Sequence, residues 1–500
     1  MCYDQLKPKS RELLWLIAYM HYDGISEGIF RRAAQNIQSK QYPLPPSDLE
    51  LQARRLILQY LSGFLSDGKW DTIKFTGAMS DLTSYSLVDF DRMSLTYRLH
   101  VLVHDWAKTI IPHSSELAIE CTATVISLSI DRRREEDAES LAFKLQLGQH
   151  VTTLLTRHPD VGANYCNDFT QVYSCTGQWM QKAALEEKLQ IVFQQELGSN
   201  NILTWSAMHE LASSYQALGQ WGKALDLETR VADAYKRMLI EEHPDILSSM
   251  SSLASIYSDL GRHQEAEKLK VQVLDARKRK LGEEHRDTLA SMHNLAMTYT
   301  DLGRHHQAEQ LKVKILAAYK HKLGEGHSDT LAAMNNLALT YLHLGRRHEA
   351  EQLQVQVLDA HKRIFGEEHP HTMISMLNLA LTYSRLGRHR DAEQLGIQVL
   401  DTRKRLLGEE HPKTLVAMHN LAVTYSNLGR WDESKQLHSK AINAAERTLG
   451  SQHPTTRFFR IHLMLMHIWR YIQLVSIFYF YLIYNSQSRN LAKPSYFLHI

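Results

Sequence analysis

Apolar residues recur through most of this chain at spacings of three and four positions, which is typical of amphipathic helices. One run surrounds a glycine, Gly303. Its apolar positions are Leu289, Met292, Leu295, Ala296, Tyr299, Leu302, Ala308, Leu311, Ile315, Leu316 and Tyr319. Because glycine adopts a positive φ without steric cost, Gly303 is expected to end the first helix. The pattern therefore predicts two antiparallel helices joined by a tight turn.

This helix pair returns every 42 residues. The glycines that mark it are Gly219, Gly261, Gly303, Gly345, Gly387 and Gly429, and tyrosines keep the same step from Tyr215 to Tyr425. A fixed period of this length is typical of a solenoid, in which each unit buries its apolar face against its neighbours. With a degenerate earlier copy around Tyr173 and Gly177, we predict an all-α solenoid of seven units over residues 161–457.

Two further features of the unit carry structural predictions. Asp287 and Thr288 precede the first helix and are expected to cap it through a side-chain oxygen. A small residue recurs where the two helices would cross, at Ala266, Ala308, Ala350 and Ala392. A larger side chain there would overpack the crossing.

The recurring phrases resemble a tetratricopeptide repeat. They are Leu-Ala-x-x-Tyr, then Leu-Gly-Arg, then an alanine shortly afterwards, and the stretches 365–389 and 407–431 resemble the kinesin-light-chain subclass. The resemblance implies a right-handed superhelix whose first helices line a concave groove for peptides or partner proteins.

The resemblance also places the asparagines that line the groove of the family, at Asn294, Asn336, Asn378 and Asn420. Helical spacing adds Ser291, Thr298, Asp301, Ala333, Thr340, His343, Ser375, Thr382, Arg385, Ala417, Thr424 and Asn427. An amide both donates and accepts hydrogen bonds, so a row of asparagines suits the backbone of an extended peptide. Alternatively, these asparagines brace the next helix. The early units hold Glu210 and Ser252 instead, which weakens the prediction there.

Charge and cysteine usage narrow the class of protein. The chain has 57 basic and 55 acidic residues and a net charge of +2, so nucleic acid is not expected as a partner. Its four cysteines form no CxxC pair and no disulfide framework, which favours a reduced, cytoplasmic location.

Histidines also recur at the 42-residue step, at His285, His327, His369 and His411. A solenoid would separate them by about 10 Å, the thickness of a helical layer, so we predict that they cap or pack the turns and that the chain holds no metal. The Arg-His pairs after the glycines, such as Arg304-His305, are predicted to be solvated starts of the second helices. The chain has no HExxH, no P-loop and no nucleophile motif, so we predict a protein that is not an enzyme and has no cofactor.

Residues 1–115 lack the 42-residue period. Apolar helix candidates at 11–22 and 56–65 are followed by a run leading to a strand at 81–88 and by a strand running into a helix at 97–111. The phrases at 82–87 and 100–107 resemble the winged-helix segment at the end of NB-ARC modules, particularly in fungal signalling ATPases with kinesin-light-chain-like repeats. In that family the histidine matching His100 can lie near the nucleotide; a packed or half-exposed histidine is the alternative. Residues 116–160 are expected to form a helical linker.

The missing P-loop changes what the resemblance implies. The chain looks like the C-terminal part of such an ATPase, and its expected role is the sensor or scaffold half of a fungal signalling protein. A kinesin-light-chain-like cargo adaptor is the alternative, although residues 1–150 lack the heptad coiled coil that an adaptor of that family needs.

The C-terminal segment, residues 458–500, is far more apolar and aromatic than the repeats. Three interpretations remain open: a helix that caps the last repeat, an extension that is not native to the protein, or a membrane anchor. The cleanest apolar stretch, at 471–484, is shorter than the roughly 20 residues that a spanning helix needs, so membrane contact is the least favoured.

Overall fold

The computed structural model describes residues 2–131, 138–238, 243–448, 450–451, 455–468 and 470–471. The chain divides into two compact units, Met1–Leu269 and Lys270–Ile500. The first unit begins with a short 3-10 helix, Cys2–Gln5, and a mainly helical domain. Its elements are α1 (Pro8–Ile17), α2 (Glu27–Asn36), α3 (Asp48–Ser62), β1 (Leu65–Ser66), β2 (Lys69–Trp70), α4 (Thr72–Ser84), β3 (Val88–Asp91), β4 (Thr96–Leu99), α5 (Val101–Thr109), α6 (Ser115–Ser129) and α7 (Ala138–Arg157).

The repeats follow as consecutive helix pairs. They are α8 (Ala163–Thr176) and α9 (Trp179–Glu196), α10 (Ile202–Ala217) and α11 (Trp221–Met238), α12 (Pro244–Asp259) and α13 (His263–Leu281), α14 (Arg286–Asp301) and α15 (His305–Leu323), α16 (Ser328–His343) and α17 (Arg347–Phe365), α18 (Pro370–Arg385) and α19 (His389–Leu407), and α20 (Pro412–Asn427) and α21 (Trp431–Thr448). The described residues thus contain the helix pairs of the predicted helical solenoid. A last helical segment follows at 455–468.

The strands of the N-terminal domain form two antiparallel hairpins, β1 with β2 and β3 with β4. In the second hairpin Val88 pairs with Leu99, and α5 begins two residues later. This order of helix, strand, strand and helix agrees with the patterns at 81–88 and 97–111. The winged-helix relationship itself stays a prediction.

Helix α6 corrects the expected linker. Twelve of its 15 residues are buried, and it packs on α2 and α3. The hydroxyls of its buried threonines are accommodated within the helix, because Thr122 and Thr124 donate to backbone carbonyls four residues earlier. Residues 116–129 are therefore helical, as predicted, but belong to the core of the domain. Most of the charged run at 131–137 lies outside the described residues.

Buried polar contacts tie this domain to the first repeat helix, α8. The Lys40 ammonium lies 2.9 Å from the Asp168 carboxylate, and both side chains are buried. Asp168 also accepts a hydrogen bond from the Ser127 hydroxyl at 2.5 Å. Removing one partner of a buried ion pair leaves an uncompensated charge, so these contacts fix α8 against the domain.

Histidine, not aspartate, caps the first helices from α12 onwards. The Nδ1 atom of His285 accepts a hydrogen bond from the Asp287 backbone N–H at 3.2 Å. The same N-cap bond recurs at His243, His327, His369 and His411. The prediction that Asp287 and Thr288 cap the helix was wrong, because they lie in its first turn. The prediction that these histidines cap the turns is confirmed.

The turn and the crossing are built as predicted. Gly303 ends α14 with a φ of 72°, in the left-handed region that favours glycine. The alanines Ala266, Ala308, Ala350 and Ala392 are fully buried. Because alanine has only a methyl side chain, the paired helices can approach closely.

In the later repeats, an arginine after the turn joins successive units. Arg346 stacks over the Tyr341 ring at 4.2 Å, pairs with Glu349 at 2.5 Å, and pairs with Glu309 of the preceding unit. The same three contacts recur at Arg388 and Arg430. These arginines are partly solvated, as predicted, and in addition link neighbouring second helices.

The terminal helical segment continues the repeat register. Thr456 and Phe459 are buried, and Leu463 packs against the apolar core that α17 to α21 form together. Packing of this kind is what the capping interpretation expects for 455–468; the later part of the tail, 472–500, lies outside the described residues. Among the helices in the described ranges, none is long and apolar enough to cross a membrane.

Candidate functional site

The four predicted asparagines form a row along the first helices α14, α16, α18 and α20. Asn294 and Asn420 are exposed, and Asn336 and Asn378 are half-buried. Within the described residues, no hydrogen bond links these amide side chains to a neighbouring helix. Bracing of the next helix therefore finds no support in the structure.

Aliphatic residues flank this row on both sides, and sequence reasoning missed them. Ile374 and Leu381, four residues before and three after Asn378, are 46% and 45% exposed. The equivalent exposed or half-buried positions in the other units are Ala290, Met297, Ala332, Leu339, Val416 and Val423. They keep the same 42-residue step, which is the signal that could have found them. We call the asparagines together with these aliphatic residues the ladder face.

Two clefts open on the ladder face, each shared by two asparagines. One, of about 270 Å³, is lined by Asn294 and Asn336 with His293, Lys312 and Tyr319. The other, of about 280 Å³, contains Asn378 and Asn420 with Leu381 and Gly396. A small or aliphatic side chain of a bound segment fits such a volume.

The six hydroxyl positions predicted for the groove are buried, although Thr424 lines the second cleft. They are Ser291, Thr298, Thr340, Ser375, Thr382 and Thr424, all buried. The Thr298 and Thr340 hydroxyls accept hydrogen bonds from the ammonium groups of Lys270 and Lys312, at 2.7 and 2.8 Å. The helical face that carries them packs on the second helix of the preceding unit, where they satisfy buried polar groups.

The remaining hydroxyl contacts follow the same rule. Thr382 donates to the Gln354 amide oxygen, and Ser375 bonds to His361 at 2.7 Å. Ser291 accepts from Arg277 at 2.8 Å. Ala333 and Ala417 are buried too. Ser291, Ser375 and Thr382 thus join each first helix to the second helix of the preceding unit. Ala333 and Thr424 instead line the two clefts.

The ends of the first helices remain at the surface. Asp301, His343, Arg385 and Asn427 are exposed at equivalent positions. Asn427 donates to the Ser384 hydroxyl at 3.0 Å. The residue type changes from unit to unit, so this edge of the ladder face differs in charge along its length.

Lys312 is an unusual component of the first cleft because its side chain is almost fully buried. Burial lowers its pKa from the ordinary value for lysine. Its ammonium nevertheless keeps two acceptors, the Thr340 hydroxyl and the Asn336 carbonyl at 3.4 Å. These two contacts hold the ammonium of Lys312 in place at the floor of the cleft.

Two sequence predictions concern histidines away from the ladder face. His100 is exposed and caps α5, where its Nδ1 accepts from the Leu102 N–H at 3.4 Å; a nucleotide role stays a prediction. The 42-residue series of histidines forms caps. A separate cluster of His419, His438 and His462, which the sequence reasoning missed, is the arrangement that could hold a metal among the described residues.

Comparison with known proteins identifies the repeats. Two family models, both described as tetratricopeptide repeat, match the chain, one at residues 245–321 and 329–405 and the other at 204–245 and 414–455. No curated protein matches it.

Similar solved structures include nearly identical TPR-like repeats of a Podosopora anserina protein described as a kinesin light chain. The two chains are 33% identical, the match covers 40% of this chain and 94% of that chain, and the TM-score is 0.38. A Signal Transduction ATPase with Numerous Domains from Pyrococcus horikoshii, with a tetratricopeptide repeat sensor, shares 14% identity, covering 94% of this chain and 61% of that chain, with a TM-score of 0.45. The quorum sensor NprR from B. thuringiensis, in its apo form, shares 16% identity with this chain. The match covers 65% of this chain and 93% of that chain, with a TM-score of 0.46. The repeated helix pairs and the two family models identify residues 204–321, 329–405 and 414–455 as tetratricopeptide repeats.

Proposed function

We propose that this protein is a non-enzymatic interaction scaffold or sensor module that binds an extended segment of a partner protein on its ladder face. The observation that supports this most directly is the row of Asn294, Asn336, Asn378 and Asn420, whose amides reach the surface and make no hydrogen bond within the described residues. Polar groups of this kind, in a row between aliphatic residues, suit the alternating backbone and side chains of a peptide.

The spacing of the row fits an extended chain. Successive first helices of a helical array lie about 10 Å apart, and an extended strand advances about 3.3 Å per residue. Successive asparagines would then contact residues three positions apart in the bound segment. Each amide would donate to a carbonyl and accept from an N–H of the segment. Aliphatic side chains between these contacts would enter the clefts beside Leu381 and Tyr319.

Charge gives the bound segment a preferred direction. Asp329 lines the first cleft, and Asp301 ends α14; Arg385 ends α18, and Lys413 lies in the first turn of α20. All four side chains are exposed. A segment with a basic residue near α14 and an acidic residue near α18 would be complementary to this order. Such complementarity affects the association rate and the choice of partner more than the affinity itself.

The direct test replaces the four asparagines by alanine and compares partner recovery from a lysate after crosslinking. The chain offers a matched control, because four exposed amides occur at the same 42-residue step on the second helices: Gln310, Gln352, Gln394 and Gln436. We expect the variant N294A/N336A/N378A/N420A to lose the partners that the wild type and the glutamine variant Q310A/Q352A/Q394A/Q436A both recover. Alanine favours helix, so the fold should persist, and circular dichroism checks it.

Equal recovery by both quadruple variants would remove the ladder face from the function. A partner identified in this way can then be reduced to peptides and measured by fluorescence anisotropy. Charge reversal at Arg385 should weaken the binding of an acidic peptide and leave the binding of its neutral analogue unchanged. The difference should decrease as the salt concentration is raised.

The finer form of the proposal is the sensor half of a fungal NB-ARC-type signalling protein. It is motivated by the resemblance at 82–87 and 100–107 and by the buried Lys40–Asp168 contact, through which the first repeat helix could act on the N-terminal domain. Hydrogen exchange should then slow or quicken in α6 and α8 when the partner binds. A cargo adaptor would instead bind a kinesin heavy chain without any change in α6.

A further inference from the structure

Three histidines from three different helices converge at the end of the repeat array. His419 lies on α20, His438 on α21 and His462 in the segment 455–468, and one ring nitrogen from each lies within 4.8 Å of the other two. His419 and His438 are 4% and 0% exposed, and His462 is half-buried. Such a convergence cannot arise from one helix, because the three residues are 19 and 24 positions apart.

Each ring presents a buried nitrogen that lacks a partner. Within the described residues, His419 Nδ1, His438 Nε2 and His462 Nδ1 are shielded from solvent and make no hydrogen bond. An unsatisfied buried polar atom costs about 1–3 kcal/mol, so three of them in one place call for an explanation. A shared ligand would satisfy all three.

The tautomer of His438 is the one that a metal ligand needs. Its Nδ1 lies 3.2 Å from the Ser434 carbonyl oxygen, so Nδ1 carries the proton and donates it. The lone pair then belongs to Nε2, the nitrogen that lacks a partner. Ligand histidines commonly donate their second nitrogen to a carbonyl in this way, which fixes the ring orientation.

The surroundings select the kind of ion. The cluster consists of imidazoles alone, and Phe459 stacks on His419 with ring centroids 4.7 Å apart. Nitrogen ligands suit zinc and related transition metals, whereas magnesium and calcium require oxygen. Tetrahedral zinc places its nitrogen ligands about 3.4 Å from one another at a Zn–N distance near 2.1 Å, so modest rotation of the rings would close the site.

The sequence register shows what is special about this end of the array. His419 and His438 occupy positions that hold His209 and Glu228 in an earlier unit, where the two side chains bond at 3.0 Å. His462 follows Asn420 by 42 residues and so takes the place of the next ladder asparagine. Three histidines coincide only here among the described repeats.

We propose that His419, His438 and His462 bind one zinc-class divalent transition metal ion, with a fourth position left for water. The ion would join α20, α21 and the segment 455–468, and so fasten the terminal segment to the last repeat. The site is separate from the ladder asparagines of the proposed function and does not depend on them.

The test uses the full chain, freed of metal by a chelator, and titrates it with Zn²⁺ in competition with a chromophoric chelator. The variants are His462→Gln, whose half-buried side chain is the least needed for packing, and His438→Gln. The matched control is H306Q/H321Q/H348Q, which removes three histidines that are 79–85% exposed. Circular dichroism establishes that each variant is folded.

We expect the wild type and the control to bind one Zn²⁺ per chain, with a raised melting temperature that a chelator reverses and Mg²⁺ does not reproduce. His462→Gln should bind Zn²⁺ at least 10-fold more weakly than the wild type. When Co²⁺ is added in place of Zn²⁺, the wild type should show the visible absorption of tetrahedral Co²⁺ and His462→Gln should not. If His438→Gln fails to fold, His462→Gln alone decides. Absence of a one-to-one Zn²⁺ complex, or equal affinity in the wild type and in His462→Gln, would overturn the proposal, and the three rings would then be packing groups.

Discussion

Single histidines do structural work throughout this protein because a neutral imidazole both accepts and donates. At the starts of the first helices, Nδ1 accepts a backbone N–H, as at His327, where Asp329 donates at 3.2 Å. In the N-terminal domain, His150 accepts with one nitrogen and donates with the other. The role of each ring is set by the partner that its second nitrogen finds.

The cap bond of His327 should be measurable on its own. Replacement by alanine leaves an N–H of α16 without its acceptor, so His327→Ala should lower the free energy of unfolding by about 1 kcal/mol. His327→Asp should retain most of the stability, because aspartate is a strong N-cap. Urea unfolding followed by circular dichroism gives both values, and His321→Ala, at an exposed position on α15, is the control. An alanine variant as stable as the wild type would show that the bond contributes nothing.

His150 should make the N-terminal domain sensitive to acid. It is fully buried, and burial lowers its pKa to about 4; His21 also lowers the pKa, while the Gly24 carbonyl and Asp23 raise it. Because the folded pKa lies below the unfolded value, the contribution of the neutral ring is complete above about pH 6.5 and is lost as the pH falls towards 4. His150→Gln can keep both hydrogen bonds. Its stability should therefore fall less than that of the wild type between pH 7 and pH 4, by on the order of 2–3 kcal/mol.

Tryptophan fluorescence during urea unfolding, repeated at several pH values, measures that difference. His306→Gln, at an exposed position, should behave as the wild type does. Parallel loss of stability in the wild type and in His150→Gln would mean that the acid sensitivity arises elsewhere.

At the residue scale, the sequence predicted equivalence better than it predicted orientation. The period identified Asn294 and Thr298 as members of two series, and both were assigned to the groove. Thr298 is buried, and its hydroxyl accepts a hydrogen bond from Lys270 on the preceding helix. The spacing of Thr298 in the sequence does not reveal this contact. His462 was missed for a similar reason, since its partners lie on other helices.

Besides their apolar cores, the repeat helices share two recurring contacts: a buried alanine at the crossing, as at Ala350, and an arginine after the turn, as at Arg346. The alanine permits the crossing, and the arginine joins one second helix to the next through Glu309 or its equivalents. Surface ion pairs of this type contribute little each. The crossing is therefore the place where a single change should matter most.

Ala350→Glu places a carboxylate in a fully buried crossing of α16 and α17. Both overpacking, at about 1–3 kcal/mol, and an unpaired buried charge should destabilise it, so we expect the melting temperature to fall by several degrees. Gln352→Glu, two residues along on the exposed face of the same helix, introduces the same group without burial. Differential scanning calorimetry of both variants makes the comparison. An unchanged transition for Ala350→Glu would rule out this packing.

At the element scale, the helices with one apolar face were predictable, and α6 was not. Apart from Glu120, its sequence from Leu117 to Ser129 is apolar or small on every side, and the helix is surrounded by other helices. A periodicity search finds no single face in such a segment. Its place in the core became evident only from the packing of α2 and α3.

For the whole molecule, the repeat should be removable as a unit. Deletion of residues 328–369, a complete step of 42, joins His327 to Pro370 and leaves each remaining first helix with a cap and a second helix. We expect a folded protein with proportionate helix content and a modestly lower melting temperature, since stability in such arrays is roughly a sum over units and interfaces.

Deletion of residues 328–348, half a step, would instead join the end of one second helix to the body of the next. We expect that variant to aggregate or to melt many degrees lower. Circular dichroism and size-exclusion chromatography distinguish the two outcomes. Similar stability for both deletions would mean that the 42-residue step is not the structural unit.

Within each compact unit, the repeat helices pack mainly against the helices just before and just after them in the chain. Native contacts are then mostly short in sequence, and chains with this property fold quickly because little loop entropy must be spent before contacts form. Folding can also begin at any repeat and spread to the next. A nascent chain could therefore fold on the ribosome one hairpin at a time, and each pair of helices would find its neighbour already in place.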